Sequence, residues 1–150
     1  GQSVADVAAA ALELHGKRAE YTEIYPDMVD YEQSFVQGYD TINRRISILD
    51  ANGDELGALY EGFQYNSMGS VTVHVGIADG EIVDVTIPTH DNTPDYVGGL
   101  VNDLLPTLEG QSISDITYDD DATSGATITF NSIETIISEA VQAENERSSE

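Results

Sequence analysis

Two dipeptides, Asn52-Gly53 and Asp79-Gly80, constrain the fold of this chain more than any other feature. Both suit the positive φ angles that a two-residue hairpin loop requires, and both are flanked by runs of period two. Before the first turn Ile46 and Ile48 alternate with Ser47 and Leu49, and Leu56 to Phe63 is the expected return strand. Before the second, Val71, Val73, Val75 and Ile77 alternate with Thr72, His74 and Gly76, and Val83, Val85 and Ile87 form the return. Alternation of this kind puts one apolar set on one face of a pleated strand. Two hairpins in succession predict an antiparallel sheet.

The rest of the chain has helical spacing. Val4, Val7, Ala8, Ala11 and Leu12 predict a helix over Ser3 to Leu14, ended by His15-Gly16. Ile24, Tyr25, Met28 and Tyr31 share one face of a short helix expected after Pro26. Thr93-Pro94-Asp95 is a helix start, with a capping hydroxyl, a proline in the first turn and an acid at the positive end. Tyr96, Val97, Leu100, Val101, Leu104 and Leu105 form its stripe, and Pro106 is its expected stop. Ile113 to Tyr118 is expected to be a short strand. Asn131 and Glu134 resemble a capping box for a last helix with Ile133, Ile136, Ile137, Ala140 and Val141 on its apolar face. The polar tail after Glu144 is expected to fray. With 150 residues, 40% of them hydrophobic, and no internal repeat, the chain fits one domain. The fold class is α+β: an antiparallel sheet built from hairpins, with flanking helices.

Composition narrows the chemistry. The formal charge is -23, from 28 acids against five bases, a balance that repels nucleic acid and anionic membranes. It suits a secreted or cell-surface protein, or one from a salty habitat. The absence of cysteine excludes disulfides, thiolate iron–sulfur clusters and C-x-x-C-H haem attachment. The three histidines, His15, His74 and His90, are scattered, which leaves little for zinc. Redox chemistry in such a chain requires an organic cofactor. Asp50 to Glu55 is similar to a calcium loop, but its glycine is fourth rather than sixth, so a hairpin turn is the better reading. Asp119-Asp120-Asp121 reads as a solvated acidic run. No Ser-His-Asp order or paired-carboxylate spacing supports hydrolysis.

The segment Asp121-Ala122-Thr123-Ser124-Gly125-Ala126-Thr127 carries more chemistry than its neighbours. Gly125 and Ala126 let another group approach the backbone closely, and a helix N-terminus just beyond offers free N–H groups to a phosphate. Thr123, Ser124, Thr127 and Thr129 supply hydroxyls. On residue types alone this is equally a Ser/Thr-rich connection into a helix. The order of the residues, however, resembles the flavinylation motif D-x-x-[S/T]-G-A-T of the FMN-binding domain family. That family includes flavin-carrying components of the Rnf complex and of the sodium-translocating NADH:quinone oxidoreductase. Upstream, His90-Asp91-Asn92-Thr93-Pro94-Asp95-Tyr96 is similar to the family's H-x-E-T-P-G-x-G, with Asn92 in place of Glu and Asp95 in place of Gly. The likeness runs from about Ile46 to Ala143.

This resemblance implies FMN joined as a phosphoester to Thr127 by a transferase that recognises Asp121. Ser124, Gly125, Ala126, Thr129, Thr93 and Pro94 are implied as further cofactor contacts. It divides the chain into an N-terminal helical segment over 1–40, an FMN-binding domain core over 41–146 and a frayed tail over 147–150. It further implies an extracytoplasmic electron carrier, anchored to a membrane in its full-length form and serving redox partner proteins such as those of an Rnf-type complex. A reversible FMN-binding or carrier domain of an extracellular flavin reductase is the nearest alternative. A cofactor-free acidic interaction or calcium-binding module is another. Tyr65 and Tyr96 are candidates to stack on the isoalloxazine ring, and His90 is a candidate proton donor to it. Charge supports a tether independently: a chain this acidic repels free FMN, and none of Lys17, Arg18, Arg44, Arg45 and Arg147 is near Thr127 in sequence.

Overall fold

A computed structural model describes residues 19–67, 69–92, 94–118 and 127–148. The predicted helix over Ser3 to Leu14 lies outside them. The described elements are α1 (19–24), β1 (Asp30–Phe35), β2 (Ile42–Leu49), β3 (Glu55–Asn66), β4 (Gly69–Ala78), β5 (Glu81–His90), α2 (Pro94–Asp103), α3 (Leu105–Leu108) and α4 (Thr127–Ser148). The five strands form one antiparallel sheet in the order β1-β2-β3-β4-β5, each paired to the next in sequence.

Both turn signals produce turns. Asp79 and Gly80 have φ of 54° and 76°, the paired left-handed residues of a type I′ hairpin. At the other turn the Asp50 carboxylate accepts the backbone N–H groups of Asn52 at 2.9 Å and Asp54 at 3.0 Å. That carboxylate braces a hairpin.

The sheet has a core on each face. On one, Val71, Val73, Val75, Ile77, Ile82 and Val85 pack against Leu100, Leu104 and Leu108 and against Ile133, Ile136, Ile137 and Ala140 of α4. On the other, Ile46, Ile48 and Leu59 pack against Tyr21, Tyr25 and Met28, with Ile24 and Tyr31 at the margin. Neighbours across a strand pair share a face, so these two sets fix which way every strand residue points.

Several expectations about local structure need correction. The helix expected after Pro26 instead lies before it, as α1, and ends at residue 24, where the proline disfavours helical geometry in the residue that precedes it. Tyr31 is in β1, so the segment 1–40 is not purely helical. Pro106 does not stop the leucine stripe, because it occupies the first turn of α3, where its missing N–H is no loss. Ile113 to Tyr118 is not a strand. The Gln111 side chain accepts the Thr117 N–H at 2.8 Å and donates to the Thr117 carbonyl at 3.0 Å, folding the stretch onto itself.

The last correction concerns α4. It begins at Thr127, four residues before the expected cap at Asn131, and runs to Ser148 without fraying after Glu144. Long-range contacts hold its polar end. Tyr60 donates to Glu144 at 2.5 Å, Arg45 pairs with both Glu55 and Glu144, Tyr39 donates to Glu146, and Asn145 donates to the Ile113 carbonyl at 2.9 Å. Burial and the bond to Glu144 push the Tyr60 hydroxyl pKa above its ordinary value.

Candidate functional site

Thr127 is the first residue of a 22-residue helix. The first N–H groups of any helix lack partners within it, and the summed peptide dipoles make that end positive. Proteins often place acids there. This chain has 28, yet none lies in the first turn of α4.

A buried polar network joins this helix end to the loop after β5. Thr129, in the first turn of α4 and fully buried, donates its hydroxyl to Asn92 Oδ1 at 2.7 Å. Asn66, at the end of β3, donates to the same Asn92 oxygen at 2.9 Å and to Ser132 Oγ at 2.9 Å. Asn92 in turn donates through Nδ2 to the Ser70 carbonyl at 3.1 Å. The Asp91 N–H also meets that carbonyl, at 2.8 Å. Asn92 is 3% exposed and uses three of the four hydrogen bonds an amide can make. The ends of β3 and β5, the start of β4 and the first two turns of α4 therefore meet at one point. α2 begins at Pro94, two residues beyond it.

Asn92 of the upstream segment and Thr129, two residues beyond Thr127, thus come together, although 37 positions separate them. Pro94 is exposed as the first residue of α2. Thr129 is fully buried and donates its hydroxyl hydrogen bond to Asn92. Asp121, Ser124, Gly125, Ala126 and Thr93 lie outside the described residues, as does the Tyr96 side chain. His90 pairs with Val71 and so faces the α4 side of the sheet, where its Nδ1 is buried with no partner among the described residues. Tyr65 points elsewhere. Asn66, its neighbour, bonds to α4, so Tyr65 is on the opposite face, 75% exposed and edge-on to Phe63 at 4.8 Å. His74 shares that face and is not solvated, lying 2.9 Å from Glu61 and 3.4 Å from Glu20.

The sequence reading missed Asn66 and Ser132 as members of this network, and it marked Asn92 only as a departure from the family's Glu. A polar residue at a helix position otherwise facing the core, as Ser132 is between Phe130 and Ile133, is the one local signal that was available.

No described base reaches the helix end. Arg45 pairs with Glu55 and Glu144, and Glu144 is 17 residues along α4, about 25 Å away at 1.5 Å per residue. Arg147 is farther still. Arg44 lies 4.0 Å from Glu61, on the α1 face of the sheet.

These features fit FMN. The N–H groups at a helix end suit a phosphate. His90 Nδ1 is a buried polar atom without a partner among the described residues. Residues 66–142 match the FMN-binding domain family, just over half of the chain. The chain belongs to that family. FMN is its cofactor, and the matched span opens at Asn66, the first residue of the polar network, and closes inside α4. No curated protein matches the chain.

Proposed function

We propose that this chain is a one-flavin electron-transfer module, carrying FMN as a phosphoester on Thr127 Oγ1 and working outside the cytoplasm. The observation that carries the attachment is the order Asp121 to Thr127, ending on the first residue of α4. In the attachment step a transferase presents FAD. The Thr127 oxygen bonds to the flavin-side phosphorus, the pyrophosphate bond breaks, AMP leaves, and the hydroxyl proton passes to solvent or to a base of the transferase.

The charge distribution supports a tether over reversible capture. A strongly acidic surface repels FMN, and a phosphoester removes one phosphate charge while holding the ring at high effective concentration. The bound flavin supplies the redox chemistry. The chain's own residues would bind and orient it: the first N–H groups of α4 would hold the phosphate, while Asn92 and Thr129 fix the loop against the helix. No catalytic acid or base is required of the protein. The partners we propose are redox proteins, among them those of an Rnf-type membrane complex.

Intact-mass measurement after co-expression with an FMN transferase tests the attachment. The wild type should gain one FMN, and Thr127→Val should gain none while melting at the wild-type temperature. A wild type that is yellow when folded but shows no flavin mass after denaturation refutes the covalent link.

A further inference from the structure

We propose that the Asn92–Thr129 hydrogen bond is a positioning latch for the flavin site, setting the distance between the loop that opens α2 and the end of α4 that meets the phosphate. The proposal rests on FMN as the cofactor and not on its covalent attachment.

The latch has the properties of a built contact. Both partners are almost wholly removed from water, with Asn92 3% and Thr129 0% exposed. Each end of the Asn92 amide has a fixed task. Its oxygen accepts from Thr129 and Asn66, and its nitrogen donates to the Ser70 carbonyl. The amide therefore cannot turn over without setting donor against donor and acceptor against acceptor. Asn66 also donates to Ser132, one turn further along α4 than Thr129, so two successive turns of the helix are tied to the same pair of strand ends. The β3 and β4 ends beneath are rigid elements of the sheet, whereas the Asn92 loop joins a strand to a helix and is fixed laterally by this network.

Every described member of the network is uncharged. Asp91, beside Asn92 in sequence, accepts instead from the Ser70 hydroxyl at 2.8 Å. A carboxylate in place of the Asn92 amide would put an acceptor against the Ser70 carbonyl. Asparagine is the residue this particular set of partners requires.

The test uses the full chain with Thr129→Val, which keeps the shape and deletes the hydroxyl, and Thr129→Ser, which restores it. Each is assayed for the rate of FMN uptake with transferase and FAD, and for Kd with free FMN by quenching of flavin fluorescence. All assays are run well below each variant's own melting midpoint. Thr129→Val should slow uptake and weaken FMN binding by about tenfold, the effect of one lost hydrogen bond, and Thr129→Ser should stay within about twofold of wild type. The visible circular dichroism of bound flavin should change in Thr129→Val and be restored in Thr129→Ser. Wild-type uptake and Kd in Thr129→Val overturn the latch, and so does a loss in Thr129→Ser as large as in Thr129→Val, which would assign the effect to packing. If the wild type gains no covalent flavin, the attachment reading fails alone, and the Kd comparison still decides the latch.

Discussion

Gly62 is the position where α4 rests on the sheet, and replacing it with alanine tests that placement. A Cβ there would lie 2.4 Å from Ile136 Cγ2 and 3.2 Å from Ile42 Cγ2. Carbon atoms rest at about 3.5–4.0 Å, so the contact must open by more than about 1 Å. Ile136 has little freedom to yield. It is fully buried, and a β-branched side chain in a helix has one strongly preferred χ1. Ile42 closes the other side. The helix must therefore lift from β3, and overpacking of this kind costs about 1–3 kcal/mol, or about 3–9 °C in Tm for a domain of this size. Ile136→Ala alone should cost about 2–5 kcal/mol through the cavity it leaves. In the double variant the alanine at 136 removes the methyl that the new Cβ meets. The two losses should then fall short of their sum by at least about 1 kcal/mol. Urea denaturation of the four proteins, followed by circular dichroism at one pH, measures this coupling. Additivity within about 0.5 kcal/mol would show that Gly62 and Ile136 are not in contact and that α4 crosses the sheet elsewhere.

Other perturbations probe the charge arrangement. Burial, then the nearby Glu109 and Glu20 and, more weakly, Glu23, raise the pKa of Asp84, against a smaller opposing effect of His74. An acid with a raised folded pKa contributes stability that is complete below its unfolded value and lost as pH rises through the folded one. Asp84→Asn should therefore stabilise the protein at pH 7 by about 1 kcal/mol, allowing for its partial exposure, and the gain should vanish in melts below about pH 4. A gain unchanged across that range would refute the assignment. Arg45→Met leaves the Glu144 carboxylate without its cation in a part-buried setting and should cost about 3 kcal/mol, against about 1 kcal/mol for Tyr60→Phe. Equal small losses in chemical denaturation would show that the arginine does not hold the end of α4.

The sheet was legible because its information is local. A turn dipeptide and a period-two run are each complete within one short stretch of chain, and β4 and β5 fall where Val71 to Ile77 and Val83 to Ile87 put them. The ends of elements were less so. β3 continues past Phe63 to Asn66 because Tyr65 and Asn66 still pair with Ser70 and Gly69. α4 outlasts its polar sequence because Arg45 and Tyr60 of the sheet hold Glu144, 99 and 84 positions away. Pro26 and Pro106 were read as local punctuation of the wrong kind. One follows a helix it was expected to precede, and the other opens a turn it was expected to close. In both cases tertiary packing of the same apolar residues survived the error: Tyr21, Tyr25 and Met28 share a core with Tyr31 at its edge, and Leu104, Leu105 and Leu108 remain buried.

The site divides in the same way. The proposed attachment motif is an order of seven adjacent residues, so it is visible in sequence. The polar network around Asn92 depends on contacts between residues 22 to 66 positions apart, and no short window of sequence contains them. Asn92 illustrates the difference. Set against the family motif, it is a departure from glutamate and suggests a weakened site. In the structure it is the junction of the site, and its neighbours suit it: two hydrogen-bond donors converge on its oxygen and one carbonyl meets its nitrogen. A glutamate there would be one methylene longer and would set a carboxylate against that carbonyl, with no positive group described nearby to offset it. The departure at 92 therefore has to be judged together with Asn66, Ser70, Thr129 and Ser132, since what a position contributes to a buried network is set by the donors and acceptors around it.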